Sequence, residues 1–328
     1  VIDRDDGPQV AVLIVNFNSG GDLVVCLQAL ARQTRRPCQV LIVDNASTDG
    51  SCDAALAHYP DVTVVRLTRN IGFAAANNLA AALAADCQWL ALLNPDAFPE
   101  PTWLAELTRA ALLHPECAAF GSRLLLASNP DRLDGTGDVY HVSGMAWRRD
   151  EGRQSSVAES ASREIFSPCA AAALYQREAF IEVGGFDPTY FCYHEDVDLG
   201  FRLRLAGHQA RYVPAAVCRH GSSATSGRRS DFSAYHGHRN LVWTYCKNMP
   251  ASLALWHLPQ ALLMHLAAWL RYLPRGQGGV VARAKLDALV RLPAVLRKRR
   301  AIQRRRRIAT GSLARAMRHD WLAPYTRR

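Results

Sequence analysis

The chain has 328 residues, a hydrophobic fraction of 49% and a formal net charge of +10, enough to bury a full core in one large domain or two small ones. The charge is uneven: between Leu296 and Arg307 eight of twelve positions are Lys or Arg and none is acidic, so the basic surplus, and the search for its partner, belong to the C-terminal end. The nine cysteines are odd in number, widely spaced and without a C-x-x-C, which argues against a disulfide framework or a zinc knuckle and fits reduced thiols in a cytosolic setting.

Val1 to Gln9 is polar and charged, unlike a secretory leader. Val10 to Val15 is then a continuous apolar, β-branched run, the signature of a strand buried on both faces. A turn over Asn16 to Gly21 leads into a helix over Asp22 to Gln33. Strands follow at Val40 to Val43, Val62 to Leu67 and Trp89 to Leu93, separated by helices over Ser51 to His58 and Phe73 to Ala85. Strand and helix alternating in units of about 25 residues imply right-handed crossovers and a mostly parallel α/β sheet flanked by helices. Each strand ends on a polar cluster, and in such sheets ligands sit at that edge, so Asn16, Asp44, Asn70 and Asp96 are expected to converge.

The segment from Leu133 to Phe166 is rich in Gly, Ser and charge and reads as irregular with a mobile loop. A strand running into a helix follows over Ala170 to Val183, then a helix from Asp198 to Ala206 capped at Gly207, and short strands at Ala210 to Val213 and Ala216 to Cys218. Just before that second helix lies the densest polar stretch, His194-Glu195-Asp196-Val197-Asp198. Carboxylates packed this closely oppose one another unless something uses or neutralises them.

Six clusters in order resemble family 2 glycosyltransferases of the GT-A fold, most nearly the bacterial rhamnosyltransferase-like branch that builds cell-surface polysaccharides. They are Val15-Asn16-Phe17-Asn18, the run Val43-Asp44-Asn45-Ala46 to Gly50, Asn70-Ile71-Gly72-Phe73-Ala74, Leu93-Asn94-Pro95-Asp96-Ala97, Gly184-Gly185-Phe186-Asp187 and His194 to Leu199. Arg239-Asn240 and Lys247-Asn248 also look like this branch. The likeness covers roughly residues 9 to 250, a GT-A domain at 1–250, with a helical, basic region at 251–328.

The resemblance implies an inverting enzyme that moves a sugar from a nucleotide-diphospho-sugar, dTDP-L-rhamnose first and a UDP-hexose or UDP-galactofuranose as the alternative. It places a uracil or thymine ring on Asp44, with Asn16 and Asn18 lining the base pocket. Asn70 and Gly72 open a helix whose free N–H groups suit a diphosphate. Asn94-Pro95-Asp96 stands where the family has D-x-D. Asp96 is the expected ligand to Mn²⁺ or Mg²⁺, Asn94 a contact to sugar or ribose, and His220 either a second metal ligand or a phosphate contact. Asp196 is the expected base, with Glu195 as the alternative or a supporting group. Asp198 and Arg202 form an i,i+4 pair in the following helix. Gly185, Trp147, Tyr193 and His194 are placed on the acceptor side. A nucleotidyltransferase is the rival class; it calls for a basic, glycine-rich loop after the first strand, and Asn16 to Gly21 has no basic residue.

From Asn248 to Leu270 no residue is charged, a length that permits a span, yet His257, Pro259, Gln260 and His265 oppose one. With Trp256, Trp269, Tyr272 and Arg271 it reads as a helix lying in a membrane interface, a span and a protein–protein helix being the alternatives. The arginine block adds attraction to anionic headgroups, about 1 kcal/mol per basic residue near the surface. No groove-reading motif accompanies it, so nucleic acid is not expected. A lipid-linked saccharide acceptor and a peripheral position on the cytoplasmic face of the bacterial inner membrane follow from the same resemblance.

Overall fold

A computed structural model describes residues 7–157, 161–221 and 230–326. The opening residues 1–6 and the Ser222 end of the histidine motif lie outside the described residues, as do residues 158–160 of the irregular segment. The first half alternates as expected: β1 (Val10–Asn16), α1 (Asp22–Ala31), β2 (Gln39–Asp44), α2 (Ser51–His58), β3 (Thr63–Arg66), α3 (Phe73–Leu83) and β4 (Trp89–Leu93). Then come β5 (Ala97–Pro99), α4 (Trp103–Leu113), β6 (Cys117–Leu126), β7 (Asn129–Gly135), β8 (Asp138–Tyr140), β9 (Ala146–Arg148), β10 (Arg163–Glu164), β11 (Ala172–Gln176) and α5 (Arg177–Glu182). Helix α6 (Glu195–Leu205), β12 (Gln209–His220) and α7 (Asp231–Asn248) precede six shorter helices: α8 (Ala251–Trp256), α9 (Leu258–Tyr272), α10 (Gly278–Val290), α11 (Leu292–Arg304), α12 (Thr310–Arg315) and α13 (Ala323–Thr326).

The sheet runs β10-β12-β6-β11-β4-β1-β2-β3, and β1 is parallel to both β2 and β4. The order therefore reverses between β1 and β4, and that crevice at the carboxyl ends of the strands is where an open α/β sheet takes a ligand. The apolar run of β1 alternates between two cores. Val10, Val12 and Ile14 pack on one face with α1 and α4, while Ala11, Leu13 and Val15 pack on the other with α3 and α6. Each fully buried Leu or Ile here contributes about 1.5–3 kcal/mol.

Three expectations are corrected. The Leu133 to Phe166 segment holds regular strands rather than irregular chain on either side of residues 158–160: β8 and β9 form a hairpin of their own, and Leu133, Asp134, Tyr140 and His141 are fully buried. The two short strands expected after Gly207 are one, β12, whose pairing with β6 breaks between Val213 and Val217; Pro214 has no N–H to give a ladder there. Helix α6 starts at Glu195 rather than Asp198, which moves the acidic motif from a loop into the first turn of a helix.

The uncharged C-terminal stretch divides between α8 and α9, with Pro259 in the first turn of α9. Among the described residues no helix is long and apolar enough to cross a membrane. Helices α10 and α11 pack along α7, so the basic region lies against the helix that follows β12.

Candidate active site

The crevice opens into a cleft of about 620 Å³ lined by the ends of β1 and β4, the loop before α6, the β8–β9 hairpin and the end of β12. Asn70, Gly72, Asn94, Asp96, Trp147, Tyr193, His194, Glu195, Asp196 and His220 all face it. Four expected site residues do not. Asn16 is fully buried; its Nδ2 donates to Ser47 Oγ (3.0 Å) and Ser51 Oγ (2.9 Å), so it pins the turn after β2 instead of lining a base pocket. Asn18 accepts from the Thr48 amide at 2.8 Å and fastens the same turn from outside. Gly185 packs under α3, where an added Cβ would stand 2.5 Å from Asn78 Oδ1. Asp44, 6% exposed, accepts from the Ser47 amide at 3.1 Å and sits one residue behind the cleft wall, which is formed by Asn45.

Asn45 was missed because turn-forming residues surround it on both sides. It ties the β2 end of the rim to the turn after β3: its Nδ2 donates to Asn70 Oδ1 (2.8 Å) and its Oδ1 accepts from the Ile71 amide (2.8 Å). Asn70 also accepts from the Gly72 amide, so it shapes the turn while Gly72 is the N-cap of α3. Gly72 adopts φ +86°, and an added Cβ would lie 2.6 Å from the Phe191 ring. The close approach this glycine permits is to the loop before α6.

Asp96 and His220 meet across 124 positions because β5 pairs antiparallel with β12, setting Ala97 opposite His220. His220 Nε2 lies 3.4 Å from Asp96 Oδ1 and 3.3 Å from Asn94 Nδ2. Its Nδ1 lies 2.8 Å from Asp134 Oδ2, and Asp134 also pairs with Arg148. Burial opposes the imidazolium, but Asp134 and Asp96 outweigh it and raise the His220 pKa above its ordinary value. A carboxylate behind the imidazole is the arrangement that orients a histidine toward a cation. Asn94 Oδ1 is buried without a hydrogen-bond partner, a donor oxygen left over at the same spot. Among the described residues no group of three or more His, Cys, Asp and Glu could hold an ion, so an ion at Asp96 and His220 would need oxygen ligands from elsewhere, such as phosphates and water.

Asp196 Oδ2 accepts from the Ala170 amide at 3.2 Å, and its Oδ1 from the Val197 amide at 2.8 Å. Glu195 is buried, its Oε2 lacks a partner, and burial followed by the nearby Asp196 charge pushes its carboxyl well above the usual range. The loop feeding this turn is strained: Phe191, Tyr193 and His194 have φ of +65°, +69° and +62°, at a cost of order 1–3 kcal/mol each. The Asn240 Nδ2 holds it, donating to the carbonyls of Tyr190 (3.1 Å), Cys192 (2.9 Å) and Tyr193 (2.7 Å), while Arg239 Nη2 donates to Tyr190 O at 2.9 Å. Behind it, Asp198 takes Arg202 Nη2 at 2.8 Å, Lys247 Nζ at 2.7 Å and Asn248 Nδ2 at 2.7 Å. The expected Asp198–Arg202 pair is thus structural, and the Arg239-Asn240 and Lys247-Asn248 motifs brace the turn that carries Glu195 and Asp196.

The β8–β9 hairpin adds a carboxylate that sequence reasoning passed over. Asp138 lies opposite Arg148 in the hairpin, accepts from Ser167 Oγ at 3.2 Å and lines the cleft. Burial and then Asp196 raise its pKa well above the usual range. A signal was present in Asp134-Gly135-Thr136-Gly137-Asp138: an added Cβ at Gly137, φ +102°, would lie 2.8 Å from Ile165, so the glycines mark a packed corner.

The strand order that reverses beside this cleft is that of an open α/β sheet, and solved structures show it to be the GT-A fold. The chain matches GalNAc-T7 with UDP, GalNAc and Mn²⁺ at a TM-score of 0.63 and 17% identity, over 78% of this chain and 51% of that one. It matches the mannosyltransferase PcManGT from Pyrobaculum calidifontis, in complex with GDP-Man and Mn²⁺, at a TM-score of 0.54 and 18% identity, over 98% and 86%. Residues 8–241 match the family described as Glycosyltransferase like family 2, and the chain belongs to that family. An N-acetylglucosaminyl-diphospho-decaprenol L-rhamnosyltransferase of Mycobacterium tuberculosis (strain ATCC 25618 / H37Rv) is 34% identical over 69% of this chain and 80% of that protein. The O-antigen biosynthesis protein RfbC of Myxococcus xanthus is 34% identical over 68% of this chain but 18% of its own length.

Proposed function

We propose that this glycosyltransferase moves L-rhamnose from dTDP-L-rhamnose, with inversion, onto a polyprenyl-diphosphate-linked saccharide at the cytoplasmic face of the inner membrane. The observation that carries the chemistry is that Asp196 and the Asp96–His220 pair face one cleft. The donor and acceptor rest on the Mycobacterium tuberculosis relative.

Asp196 takes the proton of the acceptor hydroxyl as that oxygen bonds to the anomeric carbon and the sugar–phosphate bond breaks on the opposite face; such proton transfer contributes ~10²–10⁴-fold. Glu195, buried beside it with its carboxyl pushed up by burial, is the alternative base or a supporting group. Asp96 and His220, with Asn94 Oδ1 beside them, would hold Mn²⁺ or Mg²⁺, which when bound offsets the charge growing on the leaving diphosphate. Asp44 and Asn45 carry the base side, and Asn70 and Gly72 the diphosphate side. Trp147, Tyr193 and His194 receive the acceptor sugar.

The membrane side is residues 251–328, appended to a catalytic portion at 1–250. Helices α8 and α9 expose Leu255 (72%), Trp256 (82%), Leu262 (63%), Leu266 and Leu270. The inner face of α9 buries Met264 against Met145 and the half-buried Trp147, so the exposed ridge stands back to back with the acceptor wall. Trp269 is turned inward and donates to Gly278 O.

The test is Asp196→Asn, with the dTDP-sugar compared against UDP- and GDP-sugars by thermal shift in manganese. Transfer to a lipid-linked acceptor should fall ~10²–10⁴-fold while donor binding stays within a few-fold. Unchanged turnover would reject the base, and stabilisation by UDP-sugars alone would replace the donor.

A further inference from the structure

A second cavity, about 770 Å³, lies at the far end of α6 from the catalytic turn. Its walls are the loop from Glu182 to Pro188, the outer part of α6 at Arg202 to Ala206, and α11 with the residues that follow it. Seven cations line it: Arg202, Lys247, Lys298 and Arg304 to Arg307. The carboxylates that reach them are few and already shared. Asp187 binds Lys247 (2.7 Å) and Lys298 (2.6 Å), Glu182 binds Arg307 (2.8 Å) and His208 (2.8 Å), and Asp198 holds Arg202 and Lys247 from beneath. Arg304 and Arg305 have no ion pair or side-chain hydrogen bond among the described residues. A helix C-terminus favours a cation in its last turn, but that effect fades beyond it, whereas Arg305 to Arg307 lie past the end of α11. Like charges gathered around a cavity repel unless an anion enters, and the guanidinium fork suits phosphate oxygens.

We propose that the cavity between α6 and α11 is a phosphate-binding site, distinct from the donor cleft, that takes the phosphate of an anionic lipid headgroup or of a free polyphosphate. The lipid source rests on the membrane reading above; the site itself does not.

The test uses the full chain, with EDTA and saturating dTDP present so that the donor cleft is not the reporter. Calorimetry with inorganic pyrophosphate reads the site, and flotation with phosphatidylglycerol vesicles reads the membrane. Two variants separate the surfaces: Arg304→Gln with Arg305→Gln, and Trp256→Ser with Leu262→Ser on the α8–α9 ridge. Wild type should bind one pyrophosphate per chain, the arginine pair should weaken that at least tenfold without lowering Tm, and the ridge pair should leave it unchanged. If the arginine pair also weakens flotation, the source is lipid; if flotation is untouched, the source is a free phosphate. Absence of saturable pyrophosphate binding, or binding indifferent to the arginine pair, overturns the site. Flotation indifferent to the ridge pair counts against the membrane surface alone.

Discussion

The rim of the parallel half-sheet and the arginine helix α11 are both polar, and they use polarity in opposite ways. At the rim, Asn45, Asn70, Asn94 and Asp96 follow the carboxyl ends of β2, β3 and β4 and face the cleft. On α11 and just beyond it, several of the basic residues turn inward: Lys298 to Asp187, Arg299 to the Cys246 carbonyl, Arg307 to Glu182. A strand end in this fold brings its polar residues to one edge of the sheet, whereas a basic helix has no such direction until its packing partner is known.

Removing one charge from the rim and one from the ion network that α11 joins through Asp187 sharpens the contrast. Lys247 is buried between Asp187 and Asp198, 2.7 Å from each, with burial lowering its pKa. Lys247→Met strands two buried carboxylates with fewer partners, and we expect a loss of about 3–5 kcal/mol in urea denaturation. Asp96→Asn at the rim should cost little stability by the same assay. Equal losses at both positions would erase the distinction between a ligand-facing rim and a structural ion network.

A smaller effect is expected inside the rim. Asp134 touches no part of the proposed ligands, but it orients His220 through Nδ1. With dTDP present, Asp134→Asn should weaken Mn²⁺ binding about 10–100-fold, read from the free-ion electron paramagnetic resonance signal. An unchanged affinity would mean that His220 does not bear on the cation.

These residues show where the sequence was readable. The β-branched run of β1 and the polar strand ends gave the parallel half and the reversal that makes the cleft, because both follow from local pattern. Asp196, Asp96 and His220 face one cleft as the local pattern led one to expect, each lying within three residues of an element's end. Asn16 was misassigned because a strand-end amide looks alike whether it faces a ligand or pins the next turn; only the positions of Ser47 and Ser51 decide that. Asp134 and Asp138 were invisible because their value comes from partners more than 50 residues away, His220 and Asp196, and because glycines around them mimic a loop.

Acid should separate the two regions once more, with the smallest expected effect. His238 on α7 is 7% exposed and lies edge-on to Tyr272 of the α9 end. Burial, then the charges of Lys285 on α10 and His194, lower its pKa to about 3. A depressed histidine contributes stability above its unfolded pKa and loses it as pH falls toward the folded value. Between about pH 7 and about pH 5.5 this one group should therefore cost wild type ~1 kcal/mol. Glu195 and Asp138 in the cleft have the opposite sign, since raised carboxyl pKa values favour the fold at low pH and lose that contribution as pH rises. Comparing wild type with His238→Gln across that window isolates the helical junction from the cleft, because the carboxyl contribution cancels between the two proteins. If the two melting curves shift in parallel with pH, the imidazole is solvated and the C-terminal helices do not seal against α7.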